Sequence, residues 1–172
     1  NPPDPEEQLA MKRRDFGNLS PEKIAQLEKI VADYRELFAQ VEKETKGVML
    51  PEDHAKLALL EREKRADLAR LLTPAELEEY DLRSSPSSMT VRGKFRWFDA
   101  TEPEFRALYA VQRAFDEKFP DPAGLSPEAR QARAAAQADL ERQFRSALGE
   151  VRYAEYQTTA EGGQTIAPRA RM

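Results

Sequence analysis

Cysteine is absent from this 172-residue chain, and histidine occurs once, as His54. Without thiols there is no disulfide framework, no zinc–thiolate centre and no cysteine nucleophile. A structural zinc site gathers four Cys or His ligands, so a single histidine beside Glu52 and Asp53 reads as a surface residue of a helix start. Glycine is scarce, at 7 residues, and no P-loop, GxGxxG or EF-hand spacing is present. No apolar run approaches the roughly 18 residues needed to cross a membrane. A basic excess is missing too: the net charge is −4, which argues against nucleic acid as the main partner.

What remains is rich in helix formers. Charged residues make up 34% and hydrophobic residues 40% of the chain, with Glu, Arg, Ala and Leu prominent. The length suffices for one domain with a sizeable core. The expectation is an all-α protein: long antiparallel helices in a bundle or hairpins, with short capped helices turning the corners.

The Pro-rich, acidic opening "NPPDPEEQ" reads as an extended lead-in over 1–18. Ser20 is a good N-cap and Pro21 suits the first helical position, which starts a long helix over about 21–46. Along it Ile24, Leu27, Val31, Tyr34, Phe38 and Val41 recur at steps of three and four, an a/d seam fit for a coiled-coil partner. Pro51 restarts the chain, and 52–72 reads as a second long helix with a solvated middle, "EREKRAD", in which Glu61 can pair with Arg65. Thr73 with Glu76 and Thr101 with Glu104 are capping boxes, each with a proline in the first turn. Phe105, Leu108, Gln112, Phe115 and Phe119 carry the helix after the second box. Ser126 and Pro127 start the last long helix, with Ala132, Ala136, Leu140, Phe144 and Ala147 on its stripe, and Gly149 breaks it before a short helix. "PDPAGLSP" reads as a loop, and 158–172 as an irregular tail.

An internal echo runs through this pattern. "ARLLTPAELEEYDL" and "RSALGEVRYAEYQT" superpose at a spacing of 76 residues, with Leu72 on Leu148, Thr73 on Gly149, Glu79 on Glu155 and Tyr80 on Tyr156. The helical domain over 19–157 then divides into pseudo-repeat halves, 19–86 and 87–157.

Chemistry has few candidates. The serines Ser84, Ser85, Ser87 and Ser88 surround Pro86 and read as a helix start rather than a nucleophile elbow. No enzyme and no cofactor is expected. The segment 82–98 holds Arg83, Arg92, Lys94 and Arg96 without an acid, and the only tryptophan, Trp97. These five form the candidate binding surface, and bases could stack on Phe95 and Trp97. Val91, Phe95 and Phe98 also fall at i, i+4 and i+7, so "TVRGKFRWFDATEPEF" reads as a helix–turn–helix corner. Trp97 is then expected to pack to the other side, and the aromatics to tie the halves together.

"LLTPAELEEYDLRSSP" carries a resemblance. Leu72, Thr73, Pro74, Glu76, Tyr80, Arg83, Ser85 and Pro86 match an L-T-P-x-E…Y-x-x-R-x-S-P arrangement similar to that of uncharacterised secreted all-helical proteins. Leu72, Thr73, Pro74 and Glu76 also resemble the L-T-x-x-Q element of Spy-type periplasmic proteins, with Glu76 where glutamine is usual. That resemblance implies helical hairpins, binding of unfolded or stressed protein, and a periplasmic or secreted location. The chain begins at Asn1 rather than Met, as expected if a leader has been removed. The leading expectation is therefore a non-enzymatic, extracytoplasmic, chaperone-like or stress-adaptor module that binds protein, a homodimer included. A cytoplasmic structural module oligomerising through the 24–41 seam is the alternative, and nucleic-acid binding through 82–98 a second one.

Overall fold

Proline-capped starts punctuate the chain. In the computed structural model Pro5, Pro21, Pro51, Pro74, Pro86 and Pro127 each open a helix. Proline suits this first position because its missing N–H would find no intrahelical acceptor there. The structure describes residues 2–120 and 125–166, with the side chains of 161–166 excepted. Among these the elements are α1 (Pro5–Phe16), α2 (Pro21–Thr45), α3 (Pro51–Leu71), α4 (Pro74–Ser84), α5 (Pro86–Lys94), α6 (Glu102–Lys118), α7 (Pro127–Leu148) and α8 (Glu150–Ile166). The all-α expectation holds, and no strand occurs among the described residues. Two compact units result, Asn1–Arg83 and Ser84–Met172.

In the first unit α2 and α3 form an antiparallel hairpin. The Tyr34 hydroxyl donates to Asp67 at 2.6 Å near one end, and Lys56 meets Glu44 at 3.9 Å near the other. That bond to Asp67 pushes the Tyr34 phenol up to about 12. Lys46 and Gly47, both at positive φ, turn the chain between the helices. Leu19, Ile24, Leu27, Leu68, Leu72 and Tyr80 make the core, with Leu9 and Phe16 of the lead segment packed against it. Asp81 is buried and takes both Arg65 guanidinium nitrogens at 2.6 Å.

In the second unit α6 packs against both α5 and α7, and α8 against α7. Val91, Phe95, Phe98, Leu108, Phe115, Leu140 and Phe144 form its core. Phe95 sits at the centre, edge-on to Phe144 at 5.3 Å and 4.5 Å from the Tyr156 ring. Ser87 donates to Asp116 at 2.6 Å, which holds the start of α5 against the end of α6.

The two units share one plan: a lead helix, two long helices and a capped last helix. Counted from their N-caps, Ile24, Leu27, Tyr34 and Phe38 of α2 correspond to Phe105, Leu108, Phe115 and Phe119 of α6. Tyr80 and Tyr156 occupy the same place in the last helices. Tyr80 stacks on Phe16 at 6.5 Å, and Tyr156 meets Phe95 and Phe98. In each unit an ion pair joins the third residue of the first long helix to the third residue of the last helix. The pair is Lys23–Glu76 in one and Glu104–Arg152 in the other, with the signs exchanged.

Several expectations need correction. The lead-in over 1–18 contains a helix, because Asp4 caps the N–H groups of Glu6 and Glu7 and Glu7 closes a capping box. Gly17 ends it at φ 94°, a conformation a side chain adopts only with strain. The tail over 158–172 is helical as far as Ile166, with the Thr158 and Thr159 hydroxyls donating to the Ala154 and Tyr156 carbonyls. The glycines of "EGGQ" weaken a helix by about 1 kcal/mol each but do not forbid one. Residues 167–172, and 121–124 of the expected loop, lie outside the described residues. The seam on α2 is spent inside its own hairpin. Ile24, Leu27, Tyr34 and Val41 are buried there, and Val31 and Phe38 are half-buried. Arg65, expected beside Glu61, reaches Asp81.

Phe144 is fully buried, so Phe144→Ala removes a ring from a packed aromatic cluster. Urea unfolding should show a loss of about 3–5 kcal/mol. A loss below about 1 kcal/mol would show that this cluster does not hold the unit together.

Candidate peptide groove

The exit of α5 and the start of α6 face each other across a groove of about 440 Å³. Val91, Phe95 and Phe98 form its buried floor and Phe105 one half-buried side. Arg92, Arg96, Asp99 and Glu102 stand around it, with Ala100 and Thr101 between them. The sequence forces this geometry in three steps. Ser85 caps α5 by accepting from the Ser88 N–H at 3.2 Å. Apolar residues at 91, 95 and 98 turn the α5 exit inward. Thr101 then opens α6 by accepting from the Glu104 N–H at 3.3 Å, while the Thr101 N–H donates to Glu104 at 2.9 Å.

Arg152 fixes the wall. Its guanidinium donates to Glu104 at 2.8 and 3.0 Å and to the Asp99 carbonyl at 3.0 Å, and lies 4.2 Å above the Phe98 ring. The Arg152 hydrogen bonds lower the Glu104 carboxyl to about 2. Arg152 also donates to Glu155, so bonds to three acceptors and a ring hold this planar side chain in place.

The rim differs in character. Arg92 lies over the Phe105 ring at 5.5 Å, and Arg96 over Trp97 at 5.0 Å. No carboxylate pairs with either among the described residues. Glu102 is instead held by Arg106 at 3.0 Å. Stacking on a ring leaves the guanidinium N–H groups turned to solvent and available to an incoming carboxylate. Trp97 is 62% and Met89 65% exposed, so two large apolar side chains stand beside the arginines. Gly93 lies between them within α5. A side chain there would meet nothing within 4 Å, so neither backbone nor packing in this chain calls for glycine. It costs about 1 kcal/mol of helix stability against alanine.

A smaller groove in the first unit, about 240 Å³, lies between the first half of α1 and the start of α2. There Lys12 on one side meets Glu28 on the other at 3.0 Å and closes it.

Of the five residues expected to bind, the structure brings three together: Arg92, Arg96 and Trp97. Trp97, expected to pack on the other side from the Val91–Phe95–Phe98 stripe, is instead exposed to solvent, because Phe95 and Phe98 take the core positions. Lys94 points the other way, paired with Glu141 and set over the Phe144 ring at 5.5 Å. Arg83 belongs to the first unit, where it donates to Glu79 and its guanidinium lies beside Gly17. Leu72, Thr73, Pro74, Glu76 and Tyr80 cap and fill the first unit's core. Ser85 and Pro86 start α5. Met89, Asp99 and Phe105 escape a sequence reading. The exposure of Met89 and Phe105's place beside the groove depend on where α6 returns, and no local spacing encodes that. His54 is exposed, and no cluster of three or more potential metal ligands occurs among the described residues. No described helix is long and apolar enough to cross a membrane.

The comparisons with known proteins give no match: no family model, no curated protein and no solved structure aligns with the chain.

The depressed Glu104 carboxyl links the groove wall to pH. Its folded value lies below the ordinary 4.5, so its stabilisation is fully present above about 4.5 and is lost as pH falls toward about 2. Acid unfolding followed by circular dichroism should show Glu104→Gln less stable at neutral pH, with a shallower loss of stability over that window. An unchanged acid profile would exclude Glu104 as a source of it.

Proposed function

We propose that the chain is a non-enzymatic helical protein-binding module, chaperone-like in action, that holds apolar segments of other proteins in the α5–α6 groove. One observation carries the reading: an apolar-floored groove is rimmed by two arginines with no carboxylate partner among the described residues and flanked by exposed Trp97 and Met89. Ligand sites are concave and mostly apolar, with a few polar groups that orient the guest. Trp, Met and Arg are the residue types enriched where proteins bind proteins. The extracytoplasmic part of the reading rests on the resemblance carried by Leu72 to Pro86 alone.

A cytoplasmic oligomerisation module built on the 24–41 seam has less support, since that seam is already packed against α3. Nucleic-acid binding through 82–98 also loses ground. Arg83 and Lys94 are committed to Glu79 and Glu141, which leaves two cations beside the groove.

Fluorescently labelled α-lactalbumin, reduced and carbamidomethylated so that it stays unfolded, tests the proposal. It is acidic, so bulk attraction to an acidic chain cannot mimic binding. Anisotropy should rise on titration with the wild-type protein. Arg92→Glu with Arg96→Glu, both exposed, should lower the affinity on the order of tenfold, about 1.4 kcal/mol. Absence of binding, or binding indifferent to the double substitution, would reject the groove as the site.

A further inference from the structure

The α5 surface bears one feature that the groove alone does not use. Met89, Arg92, Gly93 and Arg96 recur at steps of three and four, so they line one exposed side of the helix and its exit turn. Two of them are the arginines that lack carboxylates. A third is a glycine that nothing within the chain requires. A missing side chain on an exposed helix face permits another backbone to come close, as small residues do where helices cross. An extended peptide needs no such concession, because its side chains can straddle a Cβ. The smaller groove of the first unit carries its own carboxylate, Glu28, opposite Lys12. In the second unit Glu102 is held by Arg106, and neither Arg92 nor Arg96 has a carboxylate partner among the described residues.

We infer that the preferred partner is an amphipathic helix that crosses α5 at Gly93. It sets apolar side chains against Met89, Trp97 and Phe105 and acidic residues against Arg92 and Arg96. Asp99, which lines the same groove, disfavours acids at the α6 end and sets the direction in which the helix lies. This inference rests on the groove reading and adds to it the partner's secondary structure and charge.

Two synthetic, labelled helices test it against the full-length chain. One carries leucines on one face flanked by glutamates, and the other replaces every glutamate with lysine. The glutamate helix should bind at least tenfold more tightly by anisotropy. Arg92→Ala with Arg96→Ala should erase that preference. Gly93→Ala should raise the melting temperature and yet weaken binding of the glutamate helix, and Gly93→Leu should abolish it. Equal binding of both helices overturns the inference, as does full binding by Gly93→Leu. Salt-sensitive binding of single-stranded RNA in preference to the glutamate helix also overturns it. So does concentration-dependent self-association lost in the arginine variant. If unfolded α-lactalbumin binds but neither helix does, the helical partner is excluded and the groove reading stands. If nothing binds, both fall.

Discussion

In each unit one carboxylate joins the first turn of the first long helix to the first turn of the last helix. Helix N-termini carry unpaired N–H groups and a partial positive charge, so bringing two together is unfavourable unless an anion intervenes. In the first unit Glu76 does this. It closes the cap on Thr73 at 2.9 Å and takes the Lys23 ammonium from the first turn of α2 at 2.6 Å, which lowers its carboxyl. In the second unit Glu104 does the same work from the other helix, capping α6 and receiving Arg152 from the first turn of α8. The carboxylate has moved to the partner helix and the base has moved with it. This contact ties the two ends of each unit together beside its apolar core. It brings the last helix back to the start of the first long one, and it aims Tyr80 or Tyr156 at the rings of the lead segment.

From that shared frame the units diverge in the gap between lead helix and first long helix. In the first unit Lys12 and Glu28 close it, and it is a packing seam. In the second the arginines stack on rings, and Phe105 stands where the first unit has the slimmer Ile24. A larger apolar-floored groove, beside guanidinium groups with no carboxylate partner among the described residues, is the outcome. The functional reading therefore rests on a difference within a repeated plan.

The capping signals were plain in the chain. Thr73 with Glu76, Thr101 with Glu104, and Ser20 or Ser126 before proline each mark a helix start, because the bonds span only three residues. Asp4, Pro5 and Glu7 carry the same signal, yet they lie in a proline-rich, acidic stretch whose composition argues for an extended segment. The local bond outweighs the composition, because Pro5 costs nothing at a first helical position. The seam of α2 was also plain as a pattern, but a pattern does not say which helix will cover it. The five-residue link to α3 decides that in favour of the same chain. Among the cations, Lys94 and Arg92 stand two apart and look alike on paper. One falls beside Glu141 of α7 and the other beside the ring of Phe105.

Sequence by itself determined where most of the helices begin and which faces are apolar, since both depend on neighbours within a few residues. Only the tertiary structure decided which charges are spent and which remain. An arginine's partner is set by helices distant in the chain, and Arg92 and Arg96 stand beside the groove with no carboxylate paired to them among the described residues.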